Sequence, residues 1–563
     1  MSGRRAWLGH GLAGALVLLF FAQALTASLD KAPTFDEPPH IAAGISYLRT
    51  RQFKVNLQHP PLLKELAAAP LVLGGVRWPM TRAAWDNLGP RADPGFQWPL
   101  GRAVLAANDS ARLMFWSRLP LIVLASLLGW TLYAWGRRML GTAAALGALG
   151  LFAFDPLLIA HGALVTTDVG CAVFVTLFVF ALWRYFERRT PGRLVAAGLA
   201  LGAALAAKFS SLFLLPIAAG LVVGAAGWIP AAASPAAGSR ADPYTRAGLG
   251  RRVAGGALAL GLMAAVAALM IHGLYFFAGA PTLYVEGLGL VNADHNPDYW
   301  AYMAGQLQPR FWSYYLVGYL LKEPVPSIVL AGIGAWLVLG RGAARPLDRA
   351  LLIVPPLTFF TAATVFSHNI GVRYIIPALP FTHLLGGVAV AGLVAGGPWR
   401  RGLALLLGAW LIAGSAGIYP DHLTYVNEFG CLATDRWRVG LDGGTTCGPL
   451  VLDDSNVDWG QGLLQLRSWL AAHPSPGSTR LAYFGSVLPE DYGLRYEPLT
   501  LPELLRPPPP GRSIVSAHLL ARAHGVLSSR VGTGPENWPR YLRPTAIVGH
   551  AYYVYDVPPA AAR

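Results

Sequence analysis

The chain has 563 residues, 54% of them hydrophobic and 13% charged, with a formal net charge of +15. Soluble domains carry about 25% charged residues, so this composition indicates an integral membrane protein. The positive charge does not point to nucleic acid, because the arginines cluster in short loops between apolar runs and no basic stripe interleaved with aromatic residues accompanies them.

In chain order, Arg4 and Arg5 precede a first apolar run that lacks a small-residue cleavage site, so it reads as an uncleaved signal anchor. Apolar runs follow at residues 117–136, 140–158, 167–186, 194–207, 209–228, 253–273, 325–340, 350–366, 373–395 and 402–418. With residues 7–27 these predict about eleven transmembrane helices. If the N-terminus lies inside, Arg137-Arg138, Arg184 to Arg193, Arg240 to Arg252, Arg341 to Arg349 and Arg400-Arg401 all fall on the cytoplasmic side. Three large segments then face outward: residues 28–116, residues 274–324, and everything after 419. The domain reading is a membrane core over 1–418 and an extracytoplasmic α/β domain over 419–563.

In the first outer loop, Ile41, Ile45 and Leu48 recur at helical spacing, as do Leu62, Leu63 and Leu66 after Pro60-Pro61. Both fit short amphipathic helices on the membrane surface. In the outer domain, Pro449 to Asp453, Arg480 to Gly485, Ser513 to Ala517 and Thr545 to Val557 read as strands, and Gly460 to Ala472 as a helix. Pro507 to Pro510 reads as a polyproline break that divides this domain.

The chemistry-bearing residues cluster outside. Thr34-Phe35-Asp36-Glu37-Pro38-Pro39-His40 follows the first span, and His59-Pro60-Pro61-Leu62 and Lys64 follow in the same loop. Charged groups at a membrane edge are costly and are functional candidates. Asp36-Glu37 leads, because a half-buried carboxylate can serve as a general base; the alternative for Asp36 is a cap on the helix after it, which needs neither a second acid nor a histidine. Asp168, in Thr166-Thr167-Asp168, is either a second acid or a helix cap. Lys208 is either a snorkelling lysine or a phosphate ligand. Lys322 stands beside Glu323 and reads as an interface ion pair or a phosphate contact. Arg373-Tyr374 opens a span on the outer side, where an arginine breaks the positive-inside pattern, and its planar fork suits phosphate.

Asp453-Asp454-Ser455-Asn456-Val457-Asp458 does not follow calcium-loop spacing. Asp458 with Gln461 reads instead as a capping box for the following helix. Cys431 and Cys447 could pair outside the membrane; Cys171 lies within a span.

Thr34-Phe35-Asp36-Glu37 with His40, Gly44 and Tyr47-Leu48, then His59-Pro60-Pro61-Leu62, resembles the first outer loop of the family 39 glycosyltransferases, the group of the protein O-mannosyltransferases and the aminoarabinose transferase of lipid A. The stretch from His368 to Phe381, with Gly371, Arg373-Tyr374, Pro377 and Pro380-Phe381, resembles the bacterial branch, as does Asp454-Ser455-Asn456 with Asp458-Trp459-Gly460-Gln461. The resemblance covers roughly residues 7–475; the region from Cys431 to Cys447 looks like an insertion.

This resemblance implies a GT-C fold and inverting transfer of a sugar from a polyprenyl-phosphate carrier to an acceptor hydroxyl on a protein, glycolipid or glycan. It also implies a multi-pass place in a bacterial cytoplasmic (inner) membrane with the C-terminal domain outside. Asp36 would be the base, with Glu37 and Asp168 in the catalytic group. His40, His59, Lys64, Lys208, Lys322, Arg373 and Tyr374 would contact substrate. The scheme requires no cofactor, although acids beside histidines could host a divalent metal. The rival readings are a transporter or flippase of a lipid-linked sugar and an envelope scaffold. Release of free polyprenyl phosphate separates transfer from both.

Overall fold

Helices dominate the computed structural model, which describes residues 2–228, 248–279, 282–293, 298–340, 345–434, 443–475 and 477–558. Parts of the arginine loops at 240–252 and 341–349, and of the stretch between Cys431 and Cys447, lie outside the described residues.

Six described helices are long and apolar enough to cross a membrane: Trp7–Leu29, Ser110–Met139, Asp168–Glu187, Leu249–Leu274, Pro346–Phe366 and Val372–Val394. Two further spans are broken. Thr142–Ala153 and Pro156–Gly162 meet at 65°, and Tyr314–Lys322 and Val325–Gly340 meet at 115°. The expected eleven spans are therefore six continuous and up to two bent ones among the described residues. The other three expected spans are the helices Pro191–Ala207, Leu214–Trp228 and Pro398–Gly417. The first has 17 residues and so extends about 26 Å, short of the ~30 Å hydrocarbon layer. Pro398–Gly417 is longer but opens on Arg400-Arg401. The protein is a polytopic α-helical membrane protein with a small C-terminal α/β region.

The helices of the first outer loop divide. Glu37–Thr50 buries every residue from Glu37 to Tyr47 and has no free face to lay on lipid. Leu62–Leu73 packs against it but leaves Leu66, Pro70 and Leu73 along one side partly or fully exposed, the open apolar face that a surface helix needs. The helix Gln97–Ala106 covers another side of Glu37–Thr50.

The outer segments meet one another. Strands β1 (Ala301–Met303) and β2 (Gln306–Gln308) form a hairpin. The C-terminal sheet contains β3 (Thr479–Ala482), β4 (Glu497–Pro498), β5 (Gly511–Ser516), β6 (Ala546–Val548) and β7 (Tyr552–Val557), in the order β4-β3-β5-β7-β6. Strand β3 runs parallel to β4 and β5, whereas β7 pairs antiparallel with β5 and β6. Because β3 and β5 flank Pro507 to Pro510 and pair directly, the prolines form a connection inside one sheet and do not divide the domain. The expected strand at Pro449 to Asp453 is instead a short helix, Gly448–Val451, with Pro449 at its start. Cys431 and Cys447 form a disulfide, and Cys171 is a buried free thiol.

The expected capping box is also absent. The helix Leu463–Ala472 is preceded by Gly462, and no side chain caps it. Asp458 accepts from the Gly460 N–H at 2.9 Å, and Gln461 Oε1 from the Trp459 N–H at 2.7 Å, so both side chains fold the loop itself.

Candidate active site

Adjacent acids Asp36 and Glu37 have separate partners. Glu37 is fully buried and forms a two-point ion pair with Arg118, whose Nε and Nη2 donate to Oε1 and Oε2 at 2.9 and 2.7 Å. The Thr34 N–H, the Thr34 hydroxyl and the Val165 N–H also donate to it. Arg118 donates its remaining hydrogens to the carbonyls of Ser28, Lys31 and Ala32. Burial alone would raise the Glu37 pKa, but the Arg118 charge and these donors outweigh it and hold the carboxyl below its ordinary value. With five donors on two oxygens, Glu37 has little capacity left to take a substrate proton. It ties the first outer loop to the 163–167 turn.

Asp36 precedes the helix Glu37–Thr50, but its side chain does not cap it. Its Oδ2 accepts from Arg373 Nη1 at 2.7 Å, and the two side chains keep 21% and 12% of their exposure. Arg373 Nε is buried without a hydrogen-bond partner. The guanidinium lies 4.3 Å over the Trp459 ring. Asp168, the first residue of its helix, leaves the cap role as well and pairs with Lys208, whose ammonium sits 4.6 Å over the Tyr374 ring. Asp36–Arg373 and Asp168–Lys208 thus form two ion pairs joined through Tyr374.

Three segments bring these groups together. The first is Thr34 to His40. The second is His368 to Tyr374. Gly371 there has φ +137°, and a Cβ on it would fall 2.0 Å from Ser455 Oγ, so only glycine lets the segments approach. The third is the loop Asp453 to Gln461. It receives the Phe35 N–H on the Trp459 carbonyl, the Ala32 N–H on the Gln461 carbonyl, and the Val372 N–H on Asn456 Oδ1, at 2.9, 3.0 and 3.0 Å. Ser455 donates to the Ile370 carbonyl at 2.9 Å.

The remaining expected residues divide. His40 and His59 stack edge to face at 4.8 Å, and His40 Nδ1 lies 2.9 Å from the Val165 carbonyl. Burial lowers the pKa of both rings, His59 more strongly than His40. Lys64 is buried and donates to Tyr47 Oη, to the carbonyls of Asn56 and His59, and to Asn56 Oδ1. Its hydrogens are consumed in holding the 56–59 turn. Lys322 donates to the carbonyls of Leu423 and Asn456 at 2.8 and 2.6 Å. It therefore supports the Asp453 loop and is not the ion-pair partner of Glu323.

Sequence reasoning missed Arg118, although an arginine inside an apolar run is itself a signal. It also gave no role to His161 or Thr166, whose Nδ1 and Oγ1 are buried without hydrogen-bond partners near Asp168. A cavity of about 1030 Å³ lies elsewhere, between residues 28–33, the start of the Ser110–Met139 helix and the region around Tyr492. It contains neither Asp36, Asp168 nor Arg373. The ion-pair chemistry, not the cavity size, identifies the candidate site.

Residues 109–232 match the family model described as dolichyl-phosphate-mannose-protein mannosyltransferase. Among solved structures the chain is similar to ArnT from Cupriavidus metallidurans bound to undecaprenyl phosphate, at 12% identity over 97% of both chains with a TM-score of 0.48. It is also similar to the Archaeoglobus fulgidus oligosaccharyltransferase, at 13% identity over 74% of this chain and 58% of that one, TM-score 0.45. The Saccharomyces cerevisiae (S. cerevisiae) Pmt1-Pmt2 protein O-mannosyltransferase complex matches at 16% identity over 52% and 38%, TM-score 0.34. No curated protein matches the chain. The matched segment carries Asp168 and Lys208.

Proposed function

We propose that the protein is a GT-C glycosyltransferase that moves a sugar from a polyprenyl-phosphate carrier to an acceptor hydroxyl with inversion at the anomeric carbon. The observation that carries this reading is the pairing of Asp36 with Arg373 at 2.7 Å, beside the Asp168–Lys208 pair and Tyr374. One partly exposed carboxylate and two cations are the groups that a proton transfer and a departing phosphate need.

In the proposed reaction, Asp36 takes the proton of the acceptor hydroxyl as its oxygen bonds to the anomeric carbon. The bond from that carbon to the phosphate oxygen breaks, and its electron pair leaves with the polyprenyl phosphate. Arg373, through its unpartnered Nε, and Lys208 stabilise the charge gathering on that phosphate. Asp168 holds Lys208 in place, and Glu37 fixes the backbone on which Asp36 sits.

The test is turnover of a polyprenyl-phospho-sugar by the purified full-length protein, read as release of polyprenyl phosphate. Asp36→Asn is expected to lower kcat by ~10²–10⁴. A folded Asp36→Asn protein with near-normal turnover removes Asp36 as the base, and a wild type that releases no polyprenyl phosphate from any such donor removes the transferase reading.

A further inference from the structure

Both broken spans turn at an acid. Asp155 stands in the 65° break between Thr142–Ala153 and Pro156–Gly162, and Glu323 stands in the 115° break between Tyr314–Lys322 and Val325–Gly340. The helix Leu379–Val394 packs against Thr142–Ala153 and Val325–Gly340, closely enough that a Cβ on Gly334 would fall 1.8 Å from the Leu385 carbonyl. From this helix His383 faces the two acids. All three side chains are buried to within 2% of complete enclosure, and one ligand atom from each lies within 4.8 Å of the others.

Their hydrogen bonding is incomplete. Asp155 Oδ1 caps the Pro156–Gly162 helix by accepting the Leu158 N–H, but Oδ2 has no hydrogen-bond partner. Neither His383 nitrogen has one, nor does Glu323 Oε1. His383 Nε2 lies 3.0 Å from Asp155 Oδ2 without the alignment of a hydrogen bond. The adjacent Lys322 donates no hydrogen bond to Glu323; its ammonium is turned to the Leu423 and Asn456 carbonyls. Orphaned buried polar atoms are costly and call for an explanation.

We propose that Asp155, Glu323 and His383 bind a divalent transition-metal ion of the zinc type. Two carboxylates and a neutral imidazole around a dication make a site of zero net charge, which suits a buried setting. A shared proton would satisfy the carboxylates but leave His383 unpartnered. Zinc takes imidazole nitrogen and carboxylate oxygen at about 2.0–2.2 Å, which in a tetrahedron separates ligand atoms by roughly 3.3 Å. The 3.0 Å approach of Asp155 and His383 is close to that edge. One imidazole with oxygen ligands selects zinc or a neighbouring first-row metal over calcium or magnesium.

The ion would act at a distance from the Asp36 cleft, as a clamp on both breaks. One break leads through His161 to the 163–167 turn that contacts Glu37 and His40, and the other carries Lys322, which supports Asn456. This inference rests on no assumption about the reaction.

The test uses tag-free full-length protein in detergent, stripped by a chelator, reloaded with zinc, and assayed for metal by mass spectrometry. Wild type is expected to retain about one zinc per chain. Asp155→Asn, which keeps the helix cap through its side-chain oxygen, and His383→Gln are each expected to lose it. Folded variants that retain zinc like wild type overturn the proposal, as does a wild type that retains well under one equivalent. Should neither variant fold, zinc X-ray absorption on the wild type decides. One imidazole with oxygen neighbours supports the site, whereas sulfur ligands or several imidazoles overturn it.

Discussion

Two ion-pair regions begin at adjacent residues of the first outer loop and obey opposite rules. Around Glu37, every oxygen and almost every guanidinium hydrogen is consumed by protein, and nothing is exposed. Around Asp36, the carboxylate keeps a fifth of its exposure and Arg373 keeps an unpartnered nitrogen. Closed networks fix a backbone, while open ones have capacity for a ligand. The contrast teaches that two neighbouring acids at a membrane edge need not share a task.

The sharpest way to break this comparison is to neutralise each acid in turn. Asp36→Asn is expected to cost ~10²–10⁴ in kcat with little change in melting temperature, measured by turnover and thermal unfolding on the same preparation. Glu37→Gln is expected to do the reverse in order of cause, destabilising the protein by about 3–5 kcal/mol because Arg118 loses its buried counter-charge. If Glu37→Gln melts like wild type and loses only turnover, the division of roles is wrong. The acid limb gives a second view of the same pair. Since folding lowers the Glu37 pKa, its stabilisation is present above the unfolded value of ~4.3 and is lost as pH falls below that through the folded value.

A smaller effect is expected from Arg373→Lys. The point charge remains but the fork that spans Asp36 and phosphate is lost, so kcat/KM should fall by roughly 10–100-fold. An unchanged value would mean that the planar geometry of Arg373 is not used. A pH-dependent effect, small within any one pH unit, concerns Asp458, whose carboxyl is pushed up to about 7 by burial. The folded protein keeps a proton that the unfolded chain releases near ~3.9, so stability falls as pH rises from there to about 7, by at most ~1.4 kcal/mol per pH unit. Thermal melts of Asp458→Asn across this range should show a shallower dependence than wild type.

Much of the candidate site was legible because charges beside apolar runs are conspicuous. Asp36, Asp168, Lys208 and Arg373 stand out in the sequence for that reason, and they meet in the structure. What could not be read was the destination of each side chain. Glu37 finds Arg118, 81 residues later and inside a span. Lys64 and Lys322 are spent on carbonyl oxygens, a use that no residue pattern announces. Composition located the apolar helices well, but it cannot distinguish a straight span from one bent at Asp155 or Glu323, since both halves remain apolar. The strand expected at Pro449 to Asp453 failed for a local reason: Gly448-Pro449 starts a helical turn that the apolar residues after it continue.

The loop bearing Trp459 has a consequence for how the protein is made. It closes over Arg373 and receives hydrogen bonds from Ala32 and Phe35, so the cleft draws on residues more than 400 positions apart. A growing chain emits Asp36 long before Trp459. Until the loop at 453–461 has been made and docked, the emerging helices hold an acid without its aromatic cover. Maturation would therefore be a single late event, and a chain cut short before residue 453 would leave the cleft unassembled, however well its helices insert.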